Sequence, residues 1–230
     1  MNSNKILILD FGSQYTQLIA RRIREANVYC EIHPFNVDFG TIEAFDPQGL
    51  ILSGGPSSVY DKEAPHPDER IFDLDIPVLG ICYGLQLLSQ QYNGKVARAD
   101  HREYGRAHLK IDEPAGLFDG IDSDEELTVW MSHGDRVDQM PDSFSVIAHT
   151  DNAPIAAIKH DERPVYAIQF HPEVAHTDQG SVILKNFAVN ISRCEQTWTP
   201  ANFIESEIQK VREIVGNRQV ICGLSGGVDS

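Results

Sequence analysis

The stretch IPVLGICYG, residues 76–84, decides the fold of this chain. Its apolar half is typical of a buried strand, and the residues after it have the pattern of a helix. A strand that reverses tightly into a helix strains the backbone of the residue at the turn, and flanking glycines relieve the crowding there. That residue is Cys82, between Gly80 and Gly84. The stretch therefore predicts a strand, a turn and a helix that present a thiol at the turn.

The position of Cys82 predicts a reactive thiol. The N-terminus of a helix carries partial positive charge, which favours the thiolate, the nucleophilic form of cysteine. Cysteines in apolar surroundings are commonly inert small hydrophobes. We assign Cys30, Cys194 and Cys222 to that class, because they lie in or beside apolar runs or near the end of a helix. Cys82 is the predicted nucleophile.

A base and an orienting carboxylate for this thiol are predicted in the run VYAIQFHPEV, residues 165–174. His171 and Glu173 are two residues apart on an extended segment, so their side chains face the same side. Pro172 favours this geometry, because the residue before a proline is pushed out of the helical region. Cysteine, histidine and carboxylate form the general arrangement of nucleophilic catalysis. The other histidines lack zinc-ligand spacing, so we assign no metal.

The rest of the pattern predicts an α/β fold. Strand-like and helical runs alternate over residues 5–92, which indicates a mostly parallel central sheet with helices on both faces. The catalytic loops would lie at the carboxyl ends of its strands. Between about residues 95 and 170 the runs become short, which predicts antiparallel additions that include VYAIQF. A helix over residues 180–192 is expected to close this unit.

A second unit is predicted at the C-terminal end. The expected boundaries are a domain over residues 1–192, a linker over 193–201, and the truncated start of a further domain over 202–230. The last segment begins with a helix over 202–215 and continues with a strand over 220–224. It ends in SGGVDS, and a glycine-rich turn after a strand points its N–H groups at an anion. The predicted partial phosphate loop, which would bind ATP, comprises Ser225, Gly226, Gly227, Asp229 and Ser230.

The composition of the chain limits which kinds of partner it can bind. The 230 residues include 34 acidic and 19 basic ones, for a net charge of −15. Such a surface repels phosphate backbones and anionic lipid, so we expect no nucleic acid and no membrane as partner. No apolar run reaches the length of a signal-peptide core or a transmembrane helix. Four cysteines without paired spacing do not suggest a disulfide framework, and we expect a cytoplasmic protein.

Three motifs together resemble those of the class I (triad-type) glutamine amidotransferases. They are SGGP at 53–56, GICYG at 80–84 and HPE at 171–173, they stand in the family's order, and the resemblance covers about residues 5–192. More narrowly, the opening DFGSQYTQLIARRIRE, the run WMSHGD and the terminal SGGVDS resemble the GMP synthetase branch. In that branch an ATP-pyrophosphatase domain follows the amidotransferase domain.

The resemblance implies a mechanism and a site. Cys82 would attack the side-chain amide carbon of L-glutamine, His171 would carry the proton to the departing ammonia, and Glu173 would orient His171. The backbone N–H groups of Gly55 and Tyr83 would form the oxyanion hole. Substrate binding is implied for Gln86, Ser132 and His133. His133 is also a conceivable second base, and we favour His171 because it has a carboxylate adjacent in sequence.

The resemblance further implies what lies outside the glutaminase reaction, which needs no cofactor. ATP and Mg²⁺ would serve the missing synthetase domain, which would use the ammonia to aminate XMP to GMP. The implied partners are L-glutamine and the ATP-pyrophosphatase domain of the same full-length protein. A homodimer of that protein is also implied.

Two other functional classes stay open on the sequence. A cysteine hydrolase of γ-glutamyl substrates could use the same three side chains, although SGGVDS argues against it. A non-catalytic module could use Cys82 for redox sensing or partner docking, although the intact His-x-Glu pair makes this a weaker interpretation. Release of ammonia from free glutamine separates the three classes.

Overall fold

A computed structural model describes residues 4–221 and 223 of the chain, without the side chains of residues 99–102. The chain divides into two units, the first ending at Thr197 and the second beginning at Trp198. The domain boundaries at 192 and 202 stay a prediction. No helix of the described residues is long and apolar enough to cross a membrane.

The first unit is built on one sheet. Its nine strands among the described residues are β1 (Lys5–Asp10), β2 (Tyr29–Pro34), β3 (Gly49–Leu52), β4 (Val78–Ile81), β5 (Lys95–Ile111), β6 (Leu127–Gln139), β7 (Phe144–His149), β8 (Ala157–His160) and β9 (Val165–Ile168). They lie in the order β2-β1-β3-β4-β9-β8-β7-β5-β6. The pairs from β2 to β9 are parallel, and those from β9 to β6 are antiparallel. The predicted fold class, a parallel sheet with antiparallel additions, is confirmed.

Helices cover both faces of the parallel strands. They are α1 (Thr16–Glu25), α2 (Phe39–Phe45), α3 (Tyr83–Gln91) and α4 (Gly180–Lys185). Successive side chains of a strand point to opposite faces, and β1 shows the result. Ile6 and Ile8 pack in one hydrophobic cluster with residues of α1. Leu7 and Leu9 pack in the other with residues of α2 and α3.

Two predictions for this unit are only partly right. VYAIQF was expected as an antiparallel addition, but β9 lies between β4 and β8, parallel to the first and antiparallel to the second. The expected helix over 180–192 is regular only through α4, and Asn186–Ile191 form a π-helical turn. There Ser192 N–H donates to the Phe187 carbonyl five residues back. The side-chain amide of Asn186 donates to the carbonyls of Leu117 and Asp119, which holds this turn against the segment that follows β5.

The second unit contains a helix, α5 (Pro200–Val215), which begins two residues before the predicted start. The Thr199 side chain accepts a hydrogen bond from Asn202 N–H, and Pro200 occupies the first turn, as is common at helix starts. The predicted strand over 220–224 is wrong for Val220 and Ile221, which are in no strand. A strand needs a neighbour to accept its hydrogen bonds. Leu224 and the SGGVDS turn lie outside the described residues.

Candidate active site

Cys82 sits where β4 turns into α3. Its backbone has φ 52° and ψ −101°, a left-handed conformation that costs energy for a residue with a side chain. The Cys82 N–H still donates to the Ile168 carbonyl at 2.8 Å, which continues the pairing of β4 with β9. The Cys82 carbonyl accepts from Leu85 and Gln86, which begins the helix. The predicted strand, turn and helix are confirmed.

The two flanking glycines are required by close packing. A Cβ added to Gly80 would lie 2.6 Å from the carbonyl atoms of Gly84. A Cβ added to Gly84 would lie 2.5 Å from the carbonyl oxygen of Leu52, in β3. Both distances are shorter than real carbon contacts allow, so α3 approaches the sheet as closely as backbones permit. This contact fixes the height of the Cys82 side chain above the sheet.

His171 follows β9 and is held by its own backbone. Its N–H donates to the Trp130 carbonyl of β6 at 3.0 Å, and its carbonyl accepts from the Thr177 hydroxyl at 2.6 Å. The Nδ1 atom of His171 lies 2.8 Å from Oε1 of Glu173. The two side chains therefore meet as expected, but the expected extended segment is wrong. Residues 172 and 173 form a turn, and the hydrogen bonds to Trp130 and Thr177 fix its shape.

The histidine and the carboxylate are both removed from water. Glu173 has no exposed surface and His171 is 4% exposed. Burial lowers the pKa of His171, but interactions with the Cys82 sulfur and the Glu173 carboxylate outweigh this and raise the pKa to about 10. Because Nδ1 faces Glu173, Nε2 is the ring nitrogen available to Cys82. The site thus favours a protonated imidazole between two groups that carry or acquire negative charge.

Cys82 differs from the other described cysteines. Its sulfur lies 3.8 Å from the Ser132 carbonyl oxygen and 3.8 Å from the Gln169 side-chain nitrogen. Cys30 and Cys194 are also buried, and burial raises their pKa values to about 11 and about 12. Both are therefore neutral thiols near pH 7, in keeping with the inert role expected for them. Cys222 lies outside the described residues.

The SGGP loop packs beside the triad. The Ser53 hydroxyl accepts from Phe11 N–H at 3.0 Å and donates to the Gly54 carbonyl at 2.8 Å, which fixes the loop. A Cβ on Gly54 would lie 3.1 Å from Cε1 of His171. The backbone N–H groups of Gly55 and Tyr83 make no hydrogen bond to another described residue. They are available to an oxyanion, and that role stays a prediction.

A cleft of about 650 Å³ opens at Cys82. The predicted residues Gly55, Gln86, Ser132 and His133 line it. Gln86 is buried, and its side-chain nitrogen donates to the Asp135 carbonyl at 3.3 Å. Its Oε1 atom has no partner among the described residues. The cleft also carries charged and aromatic side chains that the sequence did not single out, namely Asp61, Arg98, Tyr104 and Asp135.

His133 has a carboxylate of its own, which corrects the reason given for preferring His171. Its Nε2 atom lies 3.3 Å from Glu103 Oε2, and its Nδ1 atom lies 3.0 Å from the Asp135 carbonyl. Glu103 is distant in sequence and faces His133 through the pairing of β5 with β6. Both nitrogens of His133 are thus engaged. We still predict His171 as the base, because interaction with the Cys82 sulfur is among the causes that raise the pKa of His171.

The remaining predictions concern ATP binding and metal binding. The residues predicted to bind ATP, Ser225, Gly226, Gly227, Asp229 and Ser230, lie outside the described residues. Within the described ranges no group of three or more His, Cys, Asp or Glu side chains is arranged to hold a metal ion.

Sequence reasoning missed three residues that shape the site. Thr177 and Glu103 could be found only from tertiary contacts, because neither lies in a motif. Gln169 had a weak signal: it directly follows the strand-like run VYAI, at the carboxyl end where the catalytic loops were expected. Residues just after the carboxyl ends of parallel strands lie at the catalytic side of such a sheet, so a group near the sulfur could have been expected there.

Comparison with known proteins places these motifs in a family context. A family model described as glutamine amidotransferase class-I matches residues 7–191. The GMP synthase (glutamine-hydrolyzing) of Maridesulfovibrio salexigens is 52% identical over 229 residues, which are 100% of this chain and 44% of that protein. The GMP synthase (glutamine-hydrolyzing) of Listeria welshimeri is 54% identical over 226 residues, 98% of this chain and 43% of that protein. The chain thus spans less than half the length of these relatives.

Solved structures agree with the fold. A protein of Thermoplasma acidophilum, described as a GMP synthase subunit, has 31% identity and a TM-score of 0.71, covering 91% of this chain and 99% of that one. A glutamine amidotransferase of Thermotoga maritima has 18% identity and a TM-score of 0.60, covering 93% of this chain and 94% of that one. The second likeness concerns the fold alone.

Proposed function

Since the chain belongs to the class-I glutamine amidotransferase family, we propose that it hydrolyses L-glutamine to L-glutamate and ammonia. The observation that carries the proposal is the buried group at the end of β4 and β9. There Glu173 lies 2.8 Å from one ring nitrogen of His171, and the Cys82 sulfur interacts with the same imidazole. A thiol, a base and an orienting carboxylate at the wall of an open cleft are the requirements of acyl transfer.

The first half of the proposed reaction forms a thioester. The Cys82 thiolate attacks the side-chain amide carbon of glutamine, and the carbonyl oxygen becomes an oxyanion. The N–H groups of Gly55 and Tyr83 would stabilise it, and losing one such donor typically costs about 10²- to 10³-fold in rate. The protonated His171 then gives its proton to the departing nitrogen. Ammonia leaves, and a glutamyl thioester stays on Cys82.

The second half returns the site to its starting state. Neutral His171 takes a proton from a water molecule, whose oxygen attacks the thioester carbon. The second oxyanion uses the same two N–H groups. Its collapse expels the Cys82 thiolate beside a His171 that is again protonated, and glutamate leaves. Glu173 holds the ring in one orientation through both proton transfers.

The cleft suits the amino-acid end of glutamine. An amino acid at neutral pH carries one positive and one negative group, and the cleft offers both signs through Asp61, Asp135 and Arg98. We assign substrate binding to Gln86, Ser132 and His133 as part of the proposal.

The wider role rests on the names of the relatives. We propose that the ammonia serves ATP-dependent amination of XMP to GMP in a longer protein, as the name GMP synthase (glutamine-hydrolyzing) implies for the relatives. ATP and Mg²⁺ would serve that step. The same proposal includes three further points. The whole protein forms a homodimer, its ATP-pyrophosphatase domain is the partner of this chain, and the protein is cytoplasmic.

The proposal is tested by measuring ammonia and glutamate released from L-glutamine. We expect both in equal amounts, and we expect Cys82→Ala to abolish them. Cys194→Ala is the matched control, because it removes a buried thiol away from the cleft. Unchanged turnover in Cys82→Ala would refute the site. Cleavage of γ-glutamyl peptides without ammonia release from glutamine would favour the cysteine hydrolase instead.

A further inference from the structure

A buried glutamine side chain touches the nucleophile, and the proposed mechanism gives it no role. Ile81 pairs with Ile168 in the parallel ladder of β4 and β9, so the next residues, Cys82 and Gln169, are neighbours. The side-chain nitrogen of Gln169 lies 3.8 Å from the Cys82 sulfur. Gln169 has no exposed surface, and its own N–H donates to the Ala156 carbonyl at 2.8 Å. The contact is therefore fixed by the sheet.

The rest of this side chain offers no other explanation for its burial. Buried polar groups are normally hydrogen-bonded, because leaving them unpaired is costly. The Oε1 atom of Gln169 is buried without a partner among the described residues. Among the described residues, the Gln169 side chain thus makes one hydrogen bond, to the Cys82 sulfur. An amide buried at such a cost, with its donor on the sulfur, points to a function at that sulfur.

Two contacts of the sulfur have opposite electrostatic sense. The Ser132 carbonyl oxygen, 3.8 Å away, can accept a hydrogen bond from a thiol but repels a thiolate. The Gln169 amide can only donate through its nitrogen, and a donor stabilises the thiolate more than the thiol. Gln169 and Ser132 therefore favour different charge states of Cys82. The balance between them adds to the effect of the protonated His171.

We propose that Gln169 is a catalytic residue that stabilises the Cys82 thiolate through its side-chain N–H. It acts whenever the sulfur carries negative charge, as attacking group in the first half of the reaction and as leaving group in the second. The thioester sulfur between these steps is a poor acceptor, so the contact is weakest there. The inference rests on the proposed function for its effect on turnover, but the charge state of Cys82 can be measured without glutamine.

The test is the rate of alkylation of Cys82 by iodoacetamide as a function of pH, followed by peptide mass mapping. Gln169→Met keeps the length of the side chain and removes the donor. On the acidic side of the profile, where the rate follows the thiolate fraction, we expect alkylation to slow roughly tenfold, the lower end for loss of a hydrogen bond to a charged group. The midpoint of the profile should move to higher pH, and kcat should fall with little change in KM.

The control is Gln48→Met. Gln48 also has a buried Oε1 atom without a partner among the described residues. It precedes the amino end of β3, whereas Cys82 follows the carboxyl end of the parallel strand β4. We expect its alkylation profile to match that of the unmodified protein. A profile of Gln169→Met that superimposes on the unmodified one would overturn the proposal, whether or not the protein releases ammonia. A shifted profile in Gln169→Met, together with no ammonia release by the unmodified protein, would support the proposal and refute the proposed function.

A second measurement covers the case in which Gln169→Met does not fold. The side-chain amide resonance of Gln169, observed by NMR in the unmodified protein, should change with pH along the alkylation profile. In Cys82→Ala the same resonance should not follow that profile. An amide resonance with the same pH dependence in both proteins would show that Gln169 does not sense the sulfur, and would overturn the proposal.

Discussion

Replacing Glu173 by glutamine isolates the orienting role of the carboxylate. The side chain keeps its size, so the packing around this fully buried position is preserved. The negative charge is lost, and with it the charge-assisted hydrogen bond to His171 Nδ1 at 2.8 Å. We expect the variant to fold and to keep part of its glutaminase activity, because an orienting group contributes less than the nucleophile.

The expected loss follows from the geometry. A hydrogen bond to a charged group contributes about 1.5–3 kcal/mol, which corresponds to roughly 10- to 150-fold in kcat. This range holds if the amide oxygen faces Nδ1, so that Nδ1 keeps its proton. If the amide nitrogen faced Nδ1 instead, the ring would carry its proton on the wrong atom, and a loss of about 10⁴-fold would be expected, as for the comparable Asp→Asn change in serine proteases. Glu173 Oε2 has no hydrogen-bond partner among the described residues. No neighbouring group therefore dictates whether the oxygen or the nitrogen of the new amide faces Nδ1.

The assay is the steady-state release of glutamate from L-glutamine by Glu173→Gln. The matched control is Glu31→Gln. Glu31 and His33 are also two residues apart, with His33 Nε2 3.2 Å from Glu31 Oε2, but they lie on β2. We expect Glu31→Gln to retain full activity. Wild-type kcat in Glu173→Gln, or an equal loss in both variants, would refute the orienting role of Glu173.

Three further predictions concern stability. The pKa of His171 is raised from 6.5 to about 10 in the folded state, so its contribution to stability is complete below pH 6.5 and is lost as pH rises toward 10. The difference in Tm between the unmodified protein and Glu173→Gln should therefore shrink between these pH values. A Tm difference that stays constant with pH would contradict this. Gly84→Ala should cost about 1–3 kcal/mol in denaturant unfolding because its Cβ meets a rigid backbone carbonyl at 2.5 Å. Gly40→Ala, whose Cβ meets only a carboxylate tip, is its control, and equal costs would refute the packing explanation. Helix α5 exposes Ile204 and Ile208 and has no buried residue, so its amides should exchange with deuterium faster than those of β4; equal protection in a monomer would count against this.

The candidate site was predictable where local geometry and chemistry determine it. Cys82 between two glycines after an apolar run predicted the turn, and His171 with Glu173 two residues later predicted the base and its partner. The pair does form, although a turn rather than an extended segment brings it together. The prediction succeeded because the two residues are too close in sequence to lie far apart. The roles of these side chains stay predictions for the assays above.

The parts that sequence reasoning missed depend on contacts between distant segments. The carboxylate partner of His133 is Glu103, 30 positions away, and it faces His133 only because β5 pairs with β6. The π-helical turn after α4 depends on the loop that binds Asn186. The strand expected near Val220 is absent there, since an apolar run by itself supplies no neighbour.

The sequence by itself determined the alternation of strands and helices over residues 5–92, and where a reactive thiol would stand. Those properties follow from local periodicity and from glycines at a strained turn. Only the tertiary structure decided that β9 lies beside β4, because a strand pattern records which faces are buried and not which strand is its neighbour. That one pairing brings His171 and Gln169 to Cys82. Short motifs supply the side chains of the site, but their assembly depends on hydrogen bonds between strands that are more than 80 residues apart.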